Sequence, residues 1–306
     1  MKRLFLKFAA VTVVGAVVSA CGGSDDDNNE PTRNIVQAAE SAGLTSLLAA
    51  ATKAELVTAL SASSTAGLTV FAPTNAAFNT LATQLGLADG PALVAALPKE
   101  ALASILSYHV LPARKSAANL SSGGATQATI YTFDGSAATV RVNTTGGVNI
   151  GDAVLTEAKV TSADVAATNG VVHVVDKVLV PPGVLTVVQM AQANPGAFSS
   201  LVGAVVSADL ATTLSGTGPF TVFAPTNTAF AAAPAGLTTE QLTTVLTYHV
   251  LGSQVLSTAI PFGTPVATVA GQDITINAGT APVIATITDT TATPATITAV
   301  DVRASN

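Results

Sequence analysis

Apolar positions change their period along the chain, and the changes mark out its elements. Residues 35–60 read as helical. Thr69, Val70 and Phe71 are strand formers. Pro73 then fixes its own φ and makes Ala72 extended, which ends the strand. Thr74 or Asn75 supplies a side-chain oxygen to cap a following helix, and Phe78 returns an apolar anchor to the core. A further helix has Pro98 at its first position. Its Leu102, Ile105, Leu106 and His109 recur at i, i+3, i+4 and i+7, so His109 falls on the buried stripe if the helix reaches it. Beyond Tyr108-His109 the period becomes two. Strands are expected at 129–133, 139–143, 148–154 and 156–165, with Asp134-Gly135 and Gly146-Gly147 as turns. Residues 170–180, GVVHVVDKVLV, are almost continuously apolar, which predicts a strand covered on both faces.

The same succession then repeats. TVFAPTNAAF at 69–78 returns as TVFAPTNTAF at 221–230, and YHVL at 108–111 returns at 248–251. A helical stretch at 187–214 precedes the second copy, and Thr238 with Gln241 forms a capping box before Leu242, Val245, Leu246 and His249. Strands are expected at 264–269, 274–277, 283–289 and 295–302. A period on the order of 150 residues is too long for a solenoid repeat, so these are two whole domains, 33–183 and 184–306.

The first 32 residues follow a different pattern. Lys2, Arg3 and Lys7 precede an uncharged apolar run at 8–20, the layout of a secretory signal and too short for a comfortable membrane span. The run ends in Val18-Ser19-Ala20-Cys21, which resembles a bacterial lipobox; Cys21 is the only cysteine of the chain. The expectation is a lipoprotein signal peptide at 1–20, lipidation of Cys21 as the attachment to a membrane, and a flexible tether at 21–32, in which residues 22–32 have no apolar side chain. Export across the inner membrane and anchoring in the bacterial envelope or at the cell surface would follow. Of the 306 residues 49% are hydrophobic and 10% charged, which excludes a disordered chain. A net charge of −6 has the wrong sign for a nucleic-acid surface.

The motifs carry a family resemblance. TVFAPTNAAF, YHVL and NGVVHVVDKVLVPP, in that order, look like the conserved blocks of the fasciclin (FAS1) domain, and the second copy repeats the first two. The resemblance implies an α+β fold with two tandem FAS1-like domains, each a β-sandwich-like wedge with packed helices. It also implies adhesion or ligand binding at a cell surface or in a matrix, with an unidentified protein or polysaccharide as ligand. Family members use the Tyr-His motif in receptor contact, which makes Tyr108, His109, Tyr248 and His249 the partner-contact candidates. Phe71, Pro73, Thr74, Asn75, Phe223, Pro225, Thr226, Asn227 and His173 are expected mainly to hold the fold.

The second copy departs at its end. Thr161–Asn169 aligns with Thr298–Asn306, but the apolar segment that follows Asn169 has no counterpart after Asn306. The second domain is therefore expected to lack its final strand and to expose a sheet edge and an apolar face. Two explanations stand: a sequence cut just before that strand, or a native terminus completed by a strand from a partner.

Candidate chemistry is scarce. His109, His173 and His249 all lie in fold motifs, and no nucleophile elbow, P-loop or H-E-x-x-H is present. Asp164, Asp176 and Asp301 read as turn or edge groups. No catalytic, cofactor or metal site is expected. A structural envelope protein without a dedicated ligand, or an extracytoplasmic hydrolase, are the competing functions.

Overall fold

Asp134-Gly135 forms the turn its dipeptide predicts: both residues have positive φ, 49° and 77°, and Phe133 pairs directly with Ser136 across it. The computed structural model describes residues 31–63, 65–281, 283–289 and 293–306, and residues 31–306 form one compact unit. The signal peptide, Cys21 and most of the tether expected from the sequence lie outside the described residues.

In the first half, α1 (Ile35–Ser41), α2 (Thr45–Lys53) and α3 (Val57–Ser61) replace the single helical stretch expected there. Positive φ at Gly43 and Glu55 makes the two breaks. β1 (Leu68–Pro73) leads into α4 (Asn75–Gln84), α5 (Gly90–Ala96), α6 (Lys99–Tyr108), β2 (Val110–Leu111) and α7 (Ala117–Ser122). Then come β3 (Thr126–Phe133), β4 (Ser136–Asn143), β5 (Asn149–Gly151), β6 (Glu157–Ala167) and β7 (Gly170–Val175). Pro98 is the residue before α6 rather than its first residue, because its ψ of 157° is still extended. The expected strand at 170–180 stops at Val175.

These strands form one sheet in the order β2-β1-β7-β6-β5-β4-β3. β7 runs parallel to β1, from Leu68 opposite Gly170 to Pro73 opposite Val175, and antiparallel to β6. The edge strands β2 and β3 also approach each other, so the sheet curls around its own interior. Alternate residues of β1 serve different cores. Val70 and Ala72 face the helices, with Phe78, Leu93, Leu102, Ile105 and Val172. Phe71 faces the interior of the curled sheet, with Tyr108, Leu120, Val140, Ile150 and Val175. β7 is buried on both faces, as its unbroken apolar sequence predicts.

The second half repeats the order in reduced form. It contains α8 (Val187–Ala193), α9 (Pro195–Ser207), α10 (Ala211–Ser215), β8 (Thr221–Val222), α11 (Asn227–Phe230), α12 (Thr239–Tyr248) and β9 (Val250–Leu251). β10 (Pro265–Ala267), β11 (Asp273–Ala278), β12 (Ala285–Thr288) and β13 (Ala295–Ile297) complete it. The expected capping box of Thr238 and Gln241 is present at α12. β8 pairs with β9 alone, and β10–β13 form a separate four-stranded sheet. The strand expected at 295–302 stops at Ile297. Its counterpart β6 continues to Ala167 because β7 supplies ladder partners there, and among the described residues no strand pairs with 298–302.

Side chains from the second half close the first. Leu185, Met190 and Ala193 join the helix-side core, and Asn194 Nδ2 donates to Val154 O at 2.9 Å. The C-terminal residues strap the junction. Arg303 pairs with Asp134 at 2.8 Å and lies 5.1 Å over the Phe133 ring, while Ser305 N donates to Leu185 O.

Equivalent phenylalanines should therefore differ in weight. Phe71→Ala empties a fully buried position and is expected to cost about 3–5 kcal/mol, whereas Phe223→Ala, half-buried in the second half, should cost about 1 kcal/mol. Denaturant unfolding of the two variants, followed by a probe in each half, measures the difference; equal losses would contradict the asymmetry.

Candidate functional site

The strand-to-helix corner is built alike in both copies. Thr74 caps α4 by accepting Ala77 N, and Thr226 caps α11 by accepting Ala229 N. This resolves which residue of the Thr-Asn pair is the cap. Asn75 and Asn227 do other work. Asn75 accepts Ser46 N and donates to Gly43 O; Asn227 accepts Ser200 N and donates to Pro195 O and Gly196 O. Each asparagine thus ties the corner to the entry helices. Pro73 ends β1, and Pro225 follows β8 at the same place in the motif.

The Tyr-His motif closes the next helix. Both helices end at the tyrosine, so each histidine is the cap residue rather than part of the helical stripe. Tyr108 donates to Thr139 O at 2.9 Å and stands edge-on to Tyr131. His109 is 1% exposed. Its Nδ1 bonds Ile105 O at 2.7 Å, and its Nε2 accepts Leu179 N at 2.8 Å. Those partners fix the neutral ring with the proton on Nδ1. Burial removes Tyr108 and His109 from the contact surface expected of them and leaves them holding β3, β4 and the segment after β7.

His173 has the same character. It is buried, stacks 5.9 Å from Phe71, accepts Asp164 N at Nδ1 and reaches Lys115 O at Nε2. Asp164 accepts Ala117 N, and Asp176 accepts Lys159 N, in the turn and edge roles read from the sequence.

The second motif is more open. Tyr248 donates to Asp273 O at 3.1 Å, and His249 Nδ1 bonds Val245 O at 2.7 Å. Both side chains are half-buried. Among the described residues no hydrogen bond reaches His249 Nε2, the atom that in His109 is engaged by Leu179. Of the four partner-contact candidates, Tyr248 and His249 are the pair with accessible surface.

The sequence reading missed Asp152, which lines a cavity of about 170 Å³ with Thr80, Gln84, Lys177, Asn194 and Gly196, where the two halves meet. Its carboxylate accepts Val154 N, Thr156 N, the Thr156 hydroxyl and Val180 N, so its lone pairs are committed to shaping the loop. Burial nevertheless raises its pKa to about 6 against those hydrogen bonds. Burial also lowers His109 to about 4. It raises Tyr108, whose shift is increased by the nearby Asp152 charge. Asn169 was missed too. It accepts Ile35 N and donates to Leu60 O and Ala62 O, joining the chain before β7 to the first helices. The alignment of Asn169 with Asn306 was its signal. Among the described residues no group of three or more His, Cys, Asp or Glu side chains could hold a metal ion.

Comparison with known proteins gives a consistent result. The family model described as Fasciclin domain matches residues 42–181 and 196–306. A Synechocystis protein, sll1483, is 44% identical over 99 residues, which are 30% of this chain and 54% of that protein. Human periostin is 26% identical over 237 residues, 76% of this chain and 26% of periostin. The chain thus spans about half the length of the first relative and a quarter of the second. A solved FAS1 domain pair from the insect cell adhesion molecule fasciclin I aligns with 87% of this chain and 94% of that one, at 18% identity and a TM-score of 0.40.

The two buried groups oppose each other in acid. His109 has a depressed pKa when folded, so its contribution is lost as pH falls from about 6.5 towards about 4. Asp152 has a raised one, so its contribution grows as pH falls from about 6 towards its ordinary value. The wild-type slope should be shallow. Asp152→Asn, with the offset removed, should lose about 3 kcal/mol between pH 6.5 and 4, measured by denaturant unfolding at several pH values. A flat profile in that variant would contradict the assignment to His109.

Proposed function

This chain belongs to the fasciclin domain family, and from that premise we propose that it is an adhesion or ligand-binding lipoprotein, anchored in a bacterial envelope through Cys21. The observation that carries the reading is the tandem arrangement: two fasciclin segments on one chain, 42–181 and 196–306, behind an apolar stretch that ends at the only cysteine. The fasciclin domain is a module of cell adhesion proteins. Two weakly binding modules on one anchored chain gain by effective concentration, which suits a repetitive protein or polysaccharide ligand. The acyl chains on Cys21 would contribute about 0.8 kcal/mol per buried methylene, enough for lasting attachment when several chains act together.

The accessible surface at Tyr248 and His249 supports a contact role for the second motif. The buried bonding of Tyr108 and His109 supports a structural role for the first.

Two measurements check the proposal. Labelled palmitate fed to cells producing the full chain should enter the protein, and Cys21→Ser should abolish the label and move the protein from the membrane pellet to the soluble fraction. Unchanged labelling in that variant would overturn the anchor. For binding, His249→Ala should weaken retention of the mature protein on a glycan or matrix-protein array with little change in melting temperature, while His109→Ala should lower the melting temperature. The reverse pattern would move the contact site to the first motif.

A further inference from the structure

The cavity where the two halves meet contains a buried polar side chain with an unused atom. Asn194 follows α8, and Pro195 opens the thirteen-residue α9. An asparagine in this place ordinarily turns its side-chain oxygen back onto the first turn of the helix. Asn194 makes no such cap bond; its Nδ2 donates instead to Val154 O at 2.9 Å. Its ψ is 66°, whereas the capping residues Thr186, Thr226 and Thr238 have ψ of 164°, 162° and 161°. Asn194 is 9% exposed, and among the described residues nothing donates to its Oδ1. No fully buried side-chain nitrogen or oxygen of those residues lacks a partner, so Oδ1 must reach open space. That space is the cavity. Asn194 and Gly196 both line it, and a Cβ at Gly196 would lie 3.7 Å from Asn194 Oδ1.

The other polar groups of the cavity sort into acceptors and donors. Asp152 is neither, because Val154 N, Thr156 N, the Thr156 hydroxyl and Val180 N fill its lone-pair positions. Thr156 gives its hydroxyl hydrogen to Asp152, and Thr80 gives its own to Ala76 O, so towards a ligand both oxygens accept. On the donor side stand the Lys177 ammonium and the Gln84 amide, neither of which has a hydrogen bond or ion pair among the described residues. The Gly196 N–H is the first of α9, since Pro195 has none, and it too lacks a partner among those residues. The positive end of the helix dipole lies at the same place. Leu81 and Val180 supply apolar wall.

We propose that the junction cavity binds a hexuronate, a sugar acid of one ring, either free or at the end of a polymer. Its hydroxyl hydrogens would go to Asn194 Oδ1, Thr80 and Thr156. Its carboxylate would go to Lys177 and the Gly196 N–H. The apolar face of the ring would lie on Leu81 and Val180. The volume of about 170 Å³ is the room of about six waters at ~30 Å³ each, which suits one ring. A dicarboxylate without hydroxyls would leave the acceptor oxygens without donors. A neutral sugar would leave Lys177 without a counter-charge. This inference rests neither on Cys21 nor on Tyr248 and His249.

The test titrates glucuronate into the intact protein and follows amide resonances by NMR. Saturable one-site shifts are expected at the Gly196 N–H and at the Asn194 side-chain amide. Glucose lacks the carboxylate and succinate lacks the hydroxyls; each should bind about tenfold more weakly, as should glucuronate to Lys177→Gln. Gly196→Leu should abolish the response by filling the cavity. Beyond its own helix and chain neighbours, a Cβ there meets only Asn194 Oδ1 within 4 Å, so the melting temperature should hold. A uronate oligomer that displaces glucuronate supports a polymer end as the source, and one that does not supports the free acid. Absence of saturable shifts would overturn the proposal, as would equal binding of glucose or succinate, or unchanged binding in Gly196→Leu. None of these outcomes bears on lipid labelling or on retention through His249.

Discussion

A strand inside a sheet must satisfy backbone hydrogen bonds on both edges, and in the first half β1 does so through β2 on one side and β7 on the other. The pairing with β7 organises far more than one ladder. It places Val172 among the helices and Val175 inside the curled sheet, so a single strand contributes to both cores. It carries His173 onto Phe71 and brings Leu179 N to His109. It also gives β6 the partner that keeps it extended as far as Ala167. The second half, where among the described residues β8 pairs with β9 alone, keeps the same helical entry and the same caps. Its β8 is two residues long, its Phe223 is half-buried, and its remaining strands form a sheet of their own.

The conserved-looking polar residues of the two copies are mostly backbone ties. Thr74 and Thr226 cap helices, Asn75 and Asn227 bridge the corner to the entry helices, and Asn169 and Asn306 clamp the chain that follows β6 and β13 to the entry helices. Each bond is made at a place where helix ends or strand ends leave N–H and C=O groups without partners. The recurrence of the motif therefore follows from a repeated geometric need, and it does not by itself mark a binding surface. The same logic makes His109 a neutral, buried linker, while His249 is half-buried and bonded through Nδ1.

The halves are also joined to each other. α8 lends Met190 and Ala193 to the first core, Asn194 bonds the loop shaped by Asp152, and Arg303 returns to Asp134 and Phe133. Residues 31–306 therefore form one compact unit.

Much of this was legible in the residues. The repeated TVFAPTN and YHVL blocks established two copies of one module, because strand formers before a proline and a capping threonine after it permit few local structures. The unbroken apolar run at 170–175 showed that its strand is covered on both faces. Pattern alone could not show that the 35–60 stretch breaks at Gly43 and Glu55, that Tyr108 and His109 are sealed in, or that Asp152 lies buried at the junction with four donors around it. Those outcomes depend on contacts between residues far apart in the chain. Local sequence sets which backbone shapes are cheap, but burial and hydrogen-bond partners are fixed only when the distant segments pack.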